Sequence, residues 1–167
     1  MAVDIPVGAP GIVQHDVLGA LSVDLKRARR RYERDGPELD VLDGEIGGKI
    51  QADGTAVYIA LCPHLIGDLP DWVERCAARI MQAVGDLPAL KAHVADDHLS
   101  LKNERWLERG EPPVSRSEFI GRLRLNSVSV HDDDAVEVFF SDGGLFGGHF
   151  LIVTIDDDKP GEVALAG

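Results

Sequence analysis

At 167 residues and 18.1 kDa, with 44% hydrophobic and 28% charged residues, the chain has the size and composition of one globular domain and not of a disordered one. Its net charge of -12 disfavours nucleic acid and anionic membranes as partners. There is no run of about 18 apolar residues, no basic-then-apolar leader over residues 1–6, and no zinc or disulfide spacing for Cys62 and Cys76; together these imply a reducing cytoplasm and no metal or other cofactor.

Residues 1–15 hold Gly8, Pro10 and Gly11 and no usable period, and read as a loose arm on a single α+β domain, residues 1–167. Leu21 and Val23 then alternate with Ser22 and Asp24, a strand pattern. Residues 26–34 carry six of the seventeen basic groups in a stretch that fits strand, helix or loop, and Asp35-Gly36-Pro37 ends it as a turn. Residues 43–51 and 55–61 flank Asp53-Gly54, the two-residue signal for a type I′ hairpin, which needs positive φ at both positions. Val57, Ile59 and Leu61 share one face, and Pro63, which cannot donate to a ladder, ends the strand.

The middle of the chain is helical. Asp68 caps a helix with Pro70 in its first turn, and Trp72, Cys76, Ile80 and Val84 make an i+4 stripe flanked by Val73 and Ala77, ending at Gly85. Asp86 and Pro88 open a second helix that reaches about Leu107, with Leu87, Leu90, Val94 and Leu101 on its buried side. So short a connection predicts an antiparallel helical hairpin. After Pro112 and Pro113, Ser115 and Glu118 spell a capping box, and Val114 and Phe119 a hydrophobic staple, for a short third helix ending near Leu125. Val128 and Val130, then Val136, Val138 and Phe140, alternate as strands around a turn at residues 131–134. Residues 148–155 are almost wholly apolar, which predicts a central strand covered on both faces, and Val163 and Leu165 form a final strand. The fold expected is α+β: an antiparallel sheet built from N-terminal hairpins and a C-terminal meander, with about three helices between them packed on one side.

Candidate chemistry is sparse. His93 and His98 are five apart on a helix, about 140° around its axis, poor for one metal ion. Cys62 precedes Pro63 and His64, but without the elbow that exposes a nucleophile, and Cys76 belongs to an apolar stripe. No glycine-rich stretch has the strand–loop–helix setting of a phosphate loop. The basic run could touch phosphate, yet it lacks interleaved aromatics and is better matched to acidic side chains of the domain or of a partner. Acidic charge, by contrast, is concentrated. Residues 125–167 carry nine carboxylates and one basic group, Lys159, with the triplets Asp132, Asp133, Asp134 and Asp156, Asp157, Asp158 in turns. Neither triplet has the spacing of a calcium loop.

In the last third, Asn103 and Trp106 precede a break. Ser115-x-x-Glu118-Phe119 and Leu123-x-Leu125-x-Ser127-Val128 follow, then a charged hairpin, Leu145-Phe146-Gly147-Gly148-His149 and terminal Gly167. This order resembles a widespread family of uncharacterised bacterial proteins, a domain of unknown function, best over residues 100–167 and more loosely over residues 17–61. The resemblance implies an α+β fold and a cytoplasmic setting, and brings no reaction, cofactor or catalytic residue.

Two functions follow as expectations. The first is a non-enzymatic cytoplasmic interaction protein, immunity-like, whose acidic surface neutralises a basic protein and binds neither nucleic acid nor membrane. The alternative is a small enzyme or ligand-binding domain with a site near His149, joined by Asn103, Trp106 and Phe146. A concave pocket holding those side chains would separate the two.

Overall fold

The computed structural model describes residues 4–65 and 67–167. Eight strands form one sheet in sequence order: β1 (Gly11–His15), β2 (Gly19–Arg30), β3 (Leu39–Ala52), β4 (Thr55–Cys62), β5 (Arg124–His131), β6 (Val136–Ser141), β7 (Phe150–Asp156) and β8 (Lys159–Ala166). Every neighbouring pair is antiparallel except β4 and β5, which run parallel. A parallel pair needs a long crossover, and the three helices supply it: α1 (Leu69–Gly85), α2 (Leu87–Arg105) and α3 (Arg116–Arg122). The expected α+β fold, with N-terminal hairpins, a C-terminal meander and three intervening helices, is the one observed.

Strand alternation decides which face is covered. Leu21, Val23 and Leu25 of β2, Val57, Ile59 and Leu61 of β4, Val128 and Val130 of β5, and Val138 and Phe140 of β6 are all buried. They meet Trp72, Val73, Cys76, Ala77 and Ile80 of α1, Leu90 and Val94 of α2, and Phe119 of α3 in one core. Each fully buried Leu, Ile, Val or Phe contributes about 1.5–3 kcal/mol of transfer free energy, enough for this single layer pair to hold without covalent staples. Between β3 and β4, Asp53 and Gly54 have φ of 52° and 76°, as the type I′ turn requires. The Asp53 carboxylate does more than turn the chain. It takes Lys91 Nζ of α2 at 2.9 Å and the Leu125 N–H of β5 at 3.1 Å, tying hairpin, helix and sheet together.

Helix ends follow their sequence signals. Asp68 accepts the Asp71 N–H at 3.1 Å. At α3 both halves of the capping box are made: Ser115 Oγ accepts from Glu118 N, and Glu118 accepts from Ser115 N, each at 3.3 Å. Val114 and Phe119, the staple pair, are buried. Ser115→Ala is expected to cost about 1 kcal/mol, read as a lower urea midpoint at unchanged slope. An unchanged midpoint would mean that the box contributes nothing.

Four expectations are corrected. Part of the supposed loose arm, residues 11–15, is strand β1, antiparallel to β2 (residues 1–3 lie outside the described residues). The helical hairpin does not close: α1 lies over β5 and β6, whereas α2 lies over β7 and β8 and against α3. Asp86, with φ -92° and ψ 7°, turns the chain between them, so each helix covers its own part of the sheet. α3 stops at Arg122 because Leu123 is already extended and Arg124 pairs with Ser141. Strand β7 begins at Phe150 and is covered on one face only: Leu151 and Val153 are buried, while Ile152 and Thr154 lie half-buried on the open face. Residues 26–30 continue β2, and cross-strand acids of β3 meet its cations, Arg29 with Asp40 at 3.1 Å and Arg30 with Asp43 at 2.6 Å.

Candidate functional site

The loop from β6 to β7 is organised by one carboxylate. Asp142 is only 3% exposed, and its oxygens accept the N–H groups of Gly144 at 2.9 Å, Phe146 at 2.6 Å and Gly148 at 3.0 Å. Burial alone would push this carboxyl up, but those backbone donors outweigh it and hold it below the usual carboxylate range. The loop can coil around Asp142 because Gly143, Gly144, Gly147 and Gly148 all take positive φ. At Gly143 no larger residue fits: a Cβ would lie 2.4 Å from the Arg122 carbonyl oxygen.

The coil drives Leu145 and Phe146 into the core. The Phe146 ring meets Trp106 at 5.5 Å, His98 at 6.0 Å and Phe119 at 6.0 Å, all edge-on. His149 stacks its edge on Trp106 at 5.4 Å and donates from Nδ1 to the Phe146 carbonyl at 2.5 Å. Since a carbonyl only accepts, the proton sits on Nδ1. Gly167 also lies against the His149 ring, where a Cβ would come within 2.4 Å of Cδ2. The structure thus brings Trp106, Phe146 and His149 together.

Asn103 is directed elsewhere. Its amide donates to the Val114 carbonyl at 2.9 Å and accepts the Val114 N–H at 2.8 Å, pinning the segment that leads into α3. One residue before it, Lys102 is 2% exposed and bonds the Trp106 carbonyl and Glu111, both at 2.8 Å. That bond, with the Glu108 N–H, holds the Glu111 carboxyl below its usual range. The sequence reading missed Asp142, Lys102 and Glu111. An Asp followed by four glycines within six residues was the available signal for the first; the other two carry none.

The other candidates for chemistry separate in space. Cys62 lies on the open sheet face as the register partner of His131, and burial, then Glu45 and Glu137, push its thiol up, against nucleophilic use. Burial likewise raises the Cys76 thiol. His64 turns to Tyr32 and the Leu42 carbonyl. His93 donates to the Gly161 carbonyl at 2.7 Å while His98 faces Phe146, so the two diverge as their spacing requires.

Both acidic triplets sit at one end of the sheet, because Val136 pairs with Ile155 directly inside the two turns. Asp134, Asp157 and Asp158 adopt positive φ, at 62°, 45° and 61°. Helix α1 reaches each turn with one arginine: Arg75 lies 3.5 Å from Asp134, and Arg79, one helical turn on, 3.5 Å from Asp158. Asp132 accepts the Leu65 N–H and Asp133 the Ala135 N–H. Asp133, Asp156 and Asp157 remain exposed without an arginine.

The family described as an uncharacterized protein conserved in bacteria (DUF2262) matches residues 47–165. The chain belongs to this family. No curated protein and no solved structure matches it. The family segment runs from inside β3 to β8, so it includes the helices, the Asp142 loop and both acidic turns and leaves out β1 and the basic run of β2. No helix is long and apolar enough to cross a membrane, and among the described residues no cluster of three His, Cys, Asp or Glu is placed to hold a metal ion. Cavities of about 250, 420 and 330 Å³ are lined by residues other than Asn103, Trp106, Phe146 and His149.

Proposed function

We propose that the protein acts by binding a basic protein partner through the acidic end of its sheet, in the manner of an immunity protein, in the cytoplasm and without catalysis. One observation carries the reading. Two aspartate-rich turns stand side by side, each touched by one arginine of α1, and Asp133, Asp156 and Asp157 face water. Charge presented this way steers the approach of a basic partner. The basic run that begins in β2 does not cancel this field, because Arg29 and Arg30 are already paired with Asp40 and Asp43 of β3, and Arg31, just past β2, with Glu38, just before β3. The Asn103–Trp106–Phe146–His149 group, by contrast, gathers its rings edge-on around the buried Phe146 and satisfies the Asn103 amide on Val114, and supports the loop.

The test changes Asp132, Asp133, Asp156 and Asp157 to Asn and compares capture of proteins from the native host by both forms. Basic proteins are expected on the unchanged chain at 0.1 M salt, where the screening length is about 10 Å, and should be lost at 1 M, where it is about 3 Å. The fourfold variant should lose them at both salts while melting normally, with association at least about tenfold slower. Partners that survive both changes would make the acid end a solubilising surface and overturn the reading.

A further inference from the structure

Where α1 hands over to α2 at Asp86, the two helices part above β6, β7 and β8 and leave a cleft of about 250 Å³. Its floor is apolar, made by Ala83, Leu90, Val136 and Ile155. One charged pair stands at its rim, Arg79 and Asp158. This guanidinium is poorly served. Its Nε is buried with no hydrogen-bond partner among the described residues, and its Nη1 meets Asp158 only at 3.5 Å, the outer limit of a bond. With Nε enclosed by the protein and the side chain 22% exposed, the edge left to a ligand is the Nη1–Nη2 end, whose planar fork matches a carboxylate in two parallel bonds and here carries one long contact. Asp158 is 62% exposed on its side chain and held by little else, so its carboxylate is available to a second charge.

We propose that this cleft binds a free α-amino acid with an apolar side chain. The carboxylate takes Arg79, the ammonium takes Asp158, and the hydrocarbon lies on the floor. Charge balance selects the zwitterion. Asp86 and Asp158 outnumber Arg79 in the lining, so a simple anion is repelled, while a simple cation leaves the Arg79 edge unfilled. An amino acid carries both charges on one carbon, and Arg79 and Asp158 stand side by side to receive them. The volume lies below the usual 300–1,000 Å³ of ligand pockets, which suits one small molecule. The site shares the Arg79–Asp158 pair with the docking reading, but the fourfold variant that tests that reading leaves both residues unchanged, so the two proposals fail separately.

The experiment titrates the full chain with L-leucine, followed by NMR shifts and calorimetry, beside 3-methylbutan-1-amine and 4-methylpentanoate, which lack one charge each. Saturable leucine binding is expected, with each analogue weaker by about tenfold or more. Arg79→Gln should weaken leucine by at least about tenfold. Ala89→Leu, an exposed α2 position that lines the cleft, should abolish binding with the thermal midpoint unchanged. Absence of leucine binding, binding indifferent to both substitutions, or an amine that binds as tightly as leucine would each overturn the proposal.

Discussion

Asp142→Ala is expected to remove about 3–5 kcal/mol of stability, a large share of the 5–15 kcal/mol of an ordinary domain. The side chain is buried and is the acceptor for three loop N–H groups, those of Gly144, Phe146 and Gly148. Without it each donor is stranded in a site that water reaches poorly, at about 1–3 kcal/mol apiece before relaxation. Asp142→Asn keeps one acceptor oxygen and should lose roughly half as much. The pH dependence distinguishes charge from shape. The folded carboxyl titrates below its unfolded value of about 3.9, so its stabilisation is complete above that value and disappears as pH falls through the folded pKa. Urea midpoints of the unchanged chain and of Asp142→Asn should therefore differ most near neutrality and converge as the pH falls below the unfolded carboxyl value. Equal midpoints at neutral pH would show that the glycines coil without the carboxylate.

Local signals in this sequence were readable wherever one residue type decides the backbone. Asp53-Gly54, the Ser115–Glu118 box and the Trp72–Cys76–Ile80 stripe depend on neighbours within four positions, and all three appear as read. Features that depend on distant partners were hidden. The apolar run of β7 suggested cover on both faces, but Ile152 shares the open face with its register partner Phe139, and that cross-strand contact half-buries it without a second layer. The apolar spacing of α2 pointed to Leu101 on its buried side, but Leu101 is only half-buried, and Lys102 and His98 sit there among Leu90 and Val94, with Lys102 paired to Glu111 and the His98 ring edge-on to Phe146. Asn103 looked like a site residue, yet its partner is the backbone of Val114, eleven positions later. The basic run could not be assigned a state until the length of the β2–β3 hairpin set Arg29 opposite Asp40.

The role of the Leu145–His149 segment can be decided at Phe146. Its ring is fully buried and touches three other rings from α2, α3 and the segment that leaves α2. Phe146→Ala is expected to cost about 3–5 kcal/mol, from lost transfer energy and an incompletely collapsed cavity. Phe146→Leu keeps most of the volume and should cost about 1.5 kcal/mol or less. The edge-on pair with Trp106 should appear in a double-mutant cycle as a coupling of about 0.5–1.5 kcal/mol, since Trp106 is 36% exposed and can be changed to Leu without opening the core. Tryptophan emission should move to longer wavelength in Phe146→Ala, because Trp106 then loses the ring that shields it. A segment built for binding would behave otherwise. The Ala variant would melt within about 1 kcal/mol of the unchanged chain, as surface positions do. The geometry predicts the opposite, because Asp142 fixes the coil, the coil inserts Phe146, and Phe146 joins the end of α2 to the start of β7.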